Sequence, residues 1–187
     1  MPTRRDPLVS APVDNTSPKP SRSIEDVVNN VVHLIEQNHI RLVLMQGGVG
    51  TGKTTIAKRL EKQAGMSIVS VDEFFVVDGT YNFDENRLHL AHIDCQTRAS
   101  NVLSNTDAPL VVDNCNKNPQ DADTYLKLTC YKALVIHIQT KNQHEVIRCG
   151  KRSTHNVLSK NVMCTANNIR PITGPGIITM SETVHGL

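Results

Sequence analysis

Gly47-Gly48-Val49-Gly50-Thr51-Gly52-Lys53-Thr54 satisfies the spacing G-x-x-x-x-G-K-[ST] in full. Such a run is a phosphate-binding loop when it leaves a strand and opens a helix. Arg41-Leu42-Val43-Leu44-Met45-Gln46 in front of it is a short apolar run, as a buried parallel strand should be. Lys53 to Gln63 behind it puts Ile56, Ala57 and Leu60 on one helical face. The glycines let the backbone turn tightly and adopt positive φ. The loop N–H groups then form an anion nest at the positive end of a helix. Lys53 is expected to reach the β- and γ-phosphates of a nucleotide, and the Thr54 hydroxyl to ligate Mg²⁺. The candidate nucleotide-binding set is therefore Gly47, Gly48, Val49, Gly50, Thr51, Gly52, Lys53, Thr54 and Thr55.

The chain has 187 residues, enough for one ordinary domain. Its 20 basic and 18 acidic residues leave a net charge of +2, which gives no global argument for nucleic acid. Three Phe, three Tyr and no Trp leave room for a very small base-stacking surface at most. Five Cys, at 95, 115, 130, 149 and 164, show no C-x-x-C spacing, so neither a disulfide framework nor a zinc site is suggested. No apolar run approaches 18 residues and no signal peptide is visible. A soluble intracellular protein is expected, in the cytosol or the nucleus, without a membrane partner.

Residues 1–22 carry five Pro among Ser, Thr and basic residues, the composition of a disordered leader. From Ser23, a helix cap with Asp26 three residues on, Ile24, Val27, Val28, Val31, Val32 and Ile35 form a helical stripe. Strands are expected at 67–71, 109–112 and 133–138. Helices are expected at 84–104, 120–130, 143–151 and 158–166, with a loop at 76–84. Residues 170–187, with two Pro and three Gly, read as a flexible tail or the start of a neighbouring domain. Alternating strands and helices imply a parallel α/β sheet flanked by helices on both faces, and ligands at the carboxyl ends of its strands.

Three strand ends then converge: the glycine loop, Asp72-Glu73 and Asp113-Asn114. Asp72 is placed to serve as general base for an acceptor hydroxyl, or to cap the following helix. Asp113, closing Leu110-Val111-Val112, has the pattern of a magnesium-holding acid, or of an Asx-turn. Arg148 and Arg152 are four apart on one helical face beside Lys151, suited to a lid over phosphates or to a solvated basic surface. His92 faces either an acceptor site or the helix surface. Tyr81 and Phe83 either wall an acceptor groove or pack the loop on the sheet.

Val69-Ser70-Val71-Asp72-Glu73-Phe74-Phe75, Tyr81-Asn82-Phe83-Asp84, Ala91-His92, Val112-Asp113-Asn114-Cys115-Asn116 and Tyr125 together resemble the P-loop polynucleotide kinase-like domains. That group includes the kinase half of phage RNA-repair enzymes. It also includes the kinase-like domains of animal ubiquitin-ligase-binding proteins, to which the Asp-Glu-Phe-Phe and Tyr-x-Phe segments look closest. The resemblance covers roughly residues 40–165. It implies a P-loop kinase domain over 23–169 with a C-terminal helical lid, and transfer of the γ-phosphate of ATP to a 5′-hydroxyl end of RNA or DNA. On this likeness Lys53 and Thr54 handle ATP and Mg²⁺, and Asp72 activates the 5′-hydroxyl. Asp113 matches the acid of the family's Asp-Thr-Asn segment, and Arg148 and Arg152 the lid arginines. Cys115 replaces the usual Thr, and Glu73 stands where Asp is commoner. The phage pattern's Arg after the catalytic Asp is absent, with Phe75 nearby. A small-molecule kinase, or a nucleotide-binding interaction module without turnover belonging to a larger polyprotein, stand as the rival expectations.

Overall fold

All six residues of β1 (Leu42–Gly47) are buried, and the sheet is built outward from them. A computed structural model describes residues 23–152 and 169–183. Its main sheet has the order β2-β5-β1-β6-β7, with β2 at Ser67–Val69, β5 at Leu110–Val112, β6 at Ala133–Gln139 and β7 at Ile177–Thr183. Every pairing in it is parallel. Side chains alternate across a strand. Val43 and Met45 therefore pack on one face with α1 (Ile24–Asn38) and α2 (Lys53–Ala64), while Leu42 and Leu44 pack on the other with α3 (Leu88–Asn105) and α4 (Pro119–Leu126). A strand buried on both faces has no polar side to show, which is why β1 reads as a continuous apolar run.

The entry helix forms as its sequence requires. The Ser23 hydroxyl accepts from the Asp26 N–H while the Asp26 carboxylate accepts from the Ser23 N–H, a reciprocal capping box. Between β2 and α3 the segment expected as a loop contains a small hairpin, β3 (Val76–Val77) against β4 (Thr80–Tyr81). A 3-10 turn at Glu85–Arg87 precedes α3, so the long helix begins a few residues later than its spacing predicts. The Asp84 carboxylate accepts from the Asn86 N–H at 3.0 Å and holds that turn. The helix α5 (Gln143–Arg152) follows β6 as expected. Among the described residues no helix is long and apolar enough to cross a membrane. The expected leader at 1–22 and helix at 158–166 lie outside the described residues.

The span 170–187, expected as a flexible tail, is corrected by the structure. Within it β7 adds a fifth strand to the sheet, paired with β6 over seven positions from Ala133↔Ile177 to Gln139↔Thr183. Pro171, Gly174, Pro175 and Gly176 all precede the strand, where Gly176 takes φ +74°, and Ile177-Ile178-Thr179 supplies the β-branched start.

Gln46 explains how the segment before β7 is fixed. It is fully buried in an otherwise apolar strand. Its Nε2 donates to the carbonyls of Asn116 (3.0 Å) and Arg170 (2.9 Å), and its Oε1 accepts from the Ile172 N–H at 3.2 Å. His137 Nδ1 lies 2.9 Å from that same oxygen, so it carries the hydrogen. Burial then disfavours a second ring proton and pushes the His137 pKa down. The sign follows directly. As pH falls through about 6.5 the unfolded chain takes up a proton that the folded chain refuses, so this group's share of stability is lost on the acid side. His137→Gln should flatten the decline of the urea midpoint between about pH 7.5 and 5.5. Gln46→Leu, which strands the Ile172 N–H and two carbonyls, should cost about 2–4 kcal/mol by urea denaturation at neutral pH.

Candidate phosphate-binding and acidic site

The glycine loop runs from the buried end of β1 into α2, whose first residue is Lys53. Gly50 and Gly52 sit at φ +70° and +94°, values that a side chain resists. The Gly47 N–H donates to the Cys115 carbonyl at 3.1 Å, tying the loop's start to the segment after β5. The Thr51 hydroxyl donates to the Gly48 carbonyl at 2.9 Å and closes the loop on itself. Lys53 Nζ, largely buried, donates to the same carbonyl at 2.6 Å. Thr54 and Thr55 face outward at the helix start.

Parallel pairing brings the acids to this end of the sheet. Leu44 is level with Val112, and Val69 with Val112, so Asp113 emerges beside the loop and Asp72 one strand further out. Asp113 is 7% exposed, and among the described residues its Oδ1 has no hydrogen-bond partner. Burial raises its pKa first of all. The Thr54 hydroxyl, which it accepts from, and the Lys53 ammonium oppose that rise, while the Asp72 and Glu73 charges add to it. Loop cation, loop hydroxyl and both acids therefore lie within mutual electrostatic reach.

Asp72 stands in a 3-10 turn, Val71–Phe75, and is half-buried. The Tyr81 hydroxyl donates to its Oδ1 at 3.0 Å. Burial, and then the Asp72 charge, push the Tyr81 phenol's ionisation upward, so it stays a donor. Tyr81 and Phe83 surround Phe75, with ring centroids 6.3 and 5.0 Å from it, and Phe83 remains half-exposed. Glu73 is turned away from the site and paired with Arg98. His92 lies exposed on α3.

The basic helix also reaches the loop. A Cβ on Gly50 would fall 1.9 Å from the Cys149 carbonyl oxygen, so α5 rests its backbone directly on the glycine loop. Val146 and Cys149 face inward, while Arg148, Lys151 and Arg152 are exposed. Arg152 bends back to the Cys149 thiol, whose pKa burial raises. Spacing alone could place the two arginines on one face, but it gave no sign that glycine without a side chain is what lets their helix dock.

The donor set fits a Mg²⁺–nucleotide. One desolvated carboxylate oxygen lacks a partner, a threonine hydroxyl adjoins it, and an anion nest with a buried lysine lies next to both. Among the described residues no cluster of three or more His, Cys, Asp or Glu could hold a metal. Magnesium asks for less, because it keeps waters and takes phosphate oxygens beside one or two protein ligands.

Residues 43–169 match the family model described as AAA domain. The chain belongs to the AAA domain family. Human NEDD4-binding protein 2 is 28% identical over 125 residues, which are 65% of this chain and 7% of that relative. The chain thus spans a small fraction of the length of that relative. A Janibacter sugar kinase superposes with a TM-score of 0.57 at 16% identity, covering 79% of this chain and 87% of the other. A Sinorhizobium meliloti gluconokinase gives 0.55 at 13% identity, covering 78% and 83%. The fold is that of P-loop kinases, and a glycine loop opening a helix in it has the chemistry to hold nucleotide phosphates.

The loop–helix contact is open to test. Gly50→Ala should push α5 off the loop, because the new methyl group meets rigid backbone. Trypsin should then cut after Arg148, Lys151 and Arg152 at least about tenfold faster than in the parent, as expected when local opening is eased. The thermal midpoint of the sheet should change little by comparison.

Proposed function

We propose that the chain is an ATP-dependent kinase that phosphorylates the 5′-hydroxyl end of RNA or DNA. The observation that carries this reading is the meeting of Asp113, Thr54 and Lys53 with a second acid, Asp72, held by a tyrosine. A nucleotide-hydrolysing site orients a water, whereas a kinase needs a base beside an acceptor groove. Asp72 supplies the base. It takes the proton from the acceptor hydroxyl as that oxygen forms its bond to the γ-phosphorus. The bond from that phosphorus to the β–γ bridging oxygen breaks in line, and ADP leaves.

The chain's own residues divide the work. The loop N–H groups cradle the phosphates, and Lys53 moves from the Gly48 carbonyl to the phosphate oxygens when they arrive. Magnesium, held through Thr54 and Asp113, would neutralise charge on the β- and γ-oxygens. Arg148 and Arg152, on the helix resting at Gly50, offset charge on the transferred phosphoryl. Tyr81 orients the Asp72 carboxylate. The exposed Phe83 ring beside Phe75 offers one face for a terminal nucleobase, which favours a polynucleotide over a sugar.

Transfer of labelled phosphate from ATP to 5′-hydroxyl oligonucleotides tests this. The parent protein should label them, and Asp72→Asn should lower kcat by about 10²–10⁴-fold while ATP affinity is kept. Equal transfer by Asp72→Asn would reject the mechanism. Oligonucleotide affinity should also fall steeply with salt as counterions are released. A flat salt dependence, with transfer to a sugar or nucleoside instead, would move the substrate to the small-molecule class.

A further inference from the structure

Asp72 hangs from the weakest strand of the sheet. β2 has three residues and lies at the edge, paired with β5 alone. A short edge strand cannot by itself hold a carboxylate at a fixed place beside another carboxylate that repels it. Yet each of the four successive residues from Val69 to Asp72 has a backbone group engaged. The Val69 carbonyl accepts from the Asp113 N–H at 2.9 Å. The Ser70 carbonyl accepts from Arg98 Nη2 at 2.8 Å. The Val71 N–H donates to Asn114 Oδ1 at 2.9 Å. The Asp72 N–H donates to the Ser70 hydroxyl at 3.2 Å, and that hydroxyl donates in turn to the Asp113 carbonyl at 3.0 Å.

Two side chains therefore bridge the two acid-bearing segments. Ser70, largely buried, joins the Asp72 amide to the Asp113 carbonyl through one oxygen. Asn114, next to Asp113 in the chain, reaches across to the Val71 amide. Its own orientation is fixed from behind, because its Nδ2 donates to the Tyr125 hydroxyl at 3.1 Å and Tyr125 donates to Cys95 Sγ at 3.3 Å. Tyr125 is almost fully buried, so α3 and α4 both brace the bridge.

We propose that Ser70 and Asn114 are positioning residues that set the distance between the acceptor-side acid Asp72 and the nucleotide-side acid Asp113. The assignment rests on the kinase reading of Asp72, but the bridge can be measured without it. Displacing a reacting group by about 1 Å costs on the order of 10²-fold in rate. Among the described residues the hydrogen bonds of both side chains go to the segments around Asp72 and Asp113 and to α3 and α4, so their effect is expected on catalysis more than on nucleotide affinity.

The test uses the full chain with Ser70→Ala, Ser70→Thr and Asn114→Ala. Backbone amide exchange followed by NMR should show the Val71 and Asp72 amides exchanging at least about tenfold faster in Ser70→Ala and Asn114→Ala, with β1 amides unchanged. In phosphate transfer, Ser70→Ala should lose about 10–100-fold in kcat with the ATP dissociation constant within about twofold, and Ser70→Thr should restore most of it by returning the hydroxyl. Unchanged exchange at Val71 and Asp72 would overturn the proposal. So would a loss shared equally between ATP affinity and kcat, which marks general damage. If the parent transfers nothing to 5′-hydroxyl ends, the acceptor reading fails, and the exchange measurement alone still decides the bridge.

Discussion

A carboxylate taken out of water with one oxygen left unmatched is the constraint around which this site is organised. Asp113 is buried, and among the described residues its Oδ1 meets no donor. Leaving a buried polar atom unpaired costs about 1–3 kcal/mol, and more for a charge. The backbone that carries it is held in place, because the residue follows β5 directly and β5 is clamped between β1 and β2. What offsets it in part is the Thr54 hydroxyl and the nearby Lys53 ammonium, both from the start of α2. Sites that depart from full polar satisfaction are the ones where a ligand completes the set. A divalent cation with phosphate oxygens is the completion this donor set invites.

The same constraint explains the division between the central and edge strands. β1 and β5 are apolar on both faces and register against each other residue by residue, which fixes the loop and Asp113 together. Asp72 lacks that support, since β2 contributes three residues. Its place is set by polar bridges, not by packing. Arg98, which bonds the Ser70 carbonyl and pairs with Glu73 and Asp94, adds a clamp from the α3 side. Glu73, the residue that departs from the commoner Asp, is thereby occupied in structure.

Much of this was legible in the sequence, for identifiable reasons. The glycine loop, its strand and its helix follow from local chemistry that acts within about fifteen residues. The capping box at Ser23 and Asp26 and the apolar stripe behind it are equally local. β7 was not legible, because its stability comes from pairing with β6 and the nearby Pro171, Gly174, Pro175 and Gly176 mask a β-branched run. The contact of α5 at Gly50 depends on two segments a hundred residues apart, and nothing in either announces the other. Ser70 left a faint trace, a hydroxyl two residues before an acid, which is the spacing of a side-chain-to-backbone turn. Gln46 left a clearer one, since an amide closing an apolar buried strand must find partners.

The architecture also bears on how one loop serves unlike acceptors. On the kinase reading, the glycine loop, Lys53, Thr54 and Asp113 come from β1, α2 and the end of β5, with α5 resting on the loop. On that reading the acceptor side comes from an edge turn, the two-residue strands of the β3–β4 hairpin, whose Val76 and Val77 are exposed, and Phe83 just after them. A change in that hairpin alters what lies near Asp72 without disturbing Lys53, Thr54 or Asp113. From the hairpin, the Tyr81 hydroxyl reaches back to the acid. A hairpin change that spares Tyr81 leaves that hold on Asp72 in place. Chains that share the glycine loop and the β1–β5 pairing can for that physical reason differ where the sheet is thinnest, at β2 and the hairpin that follows it.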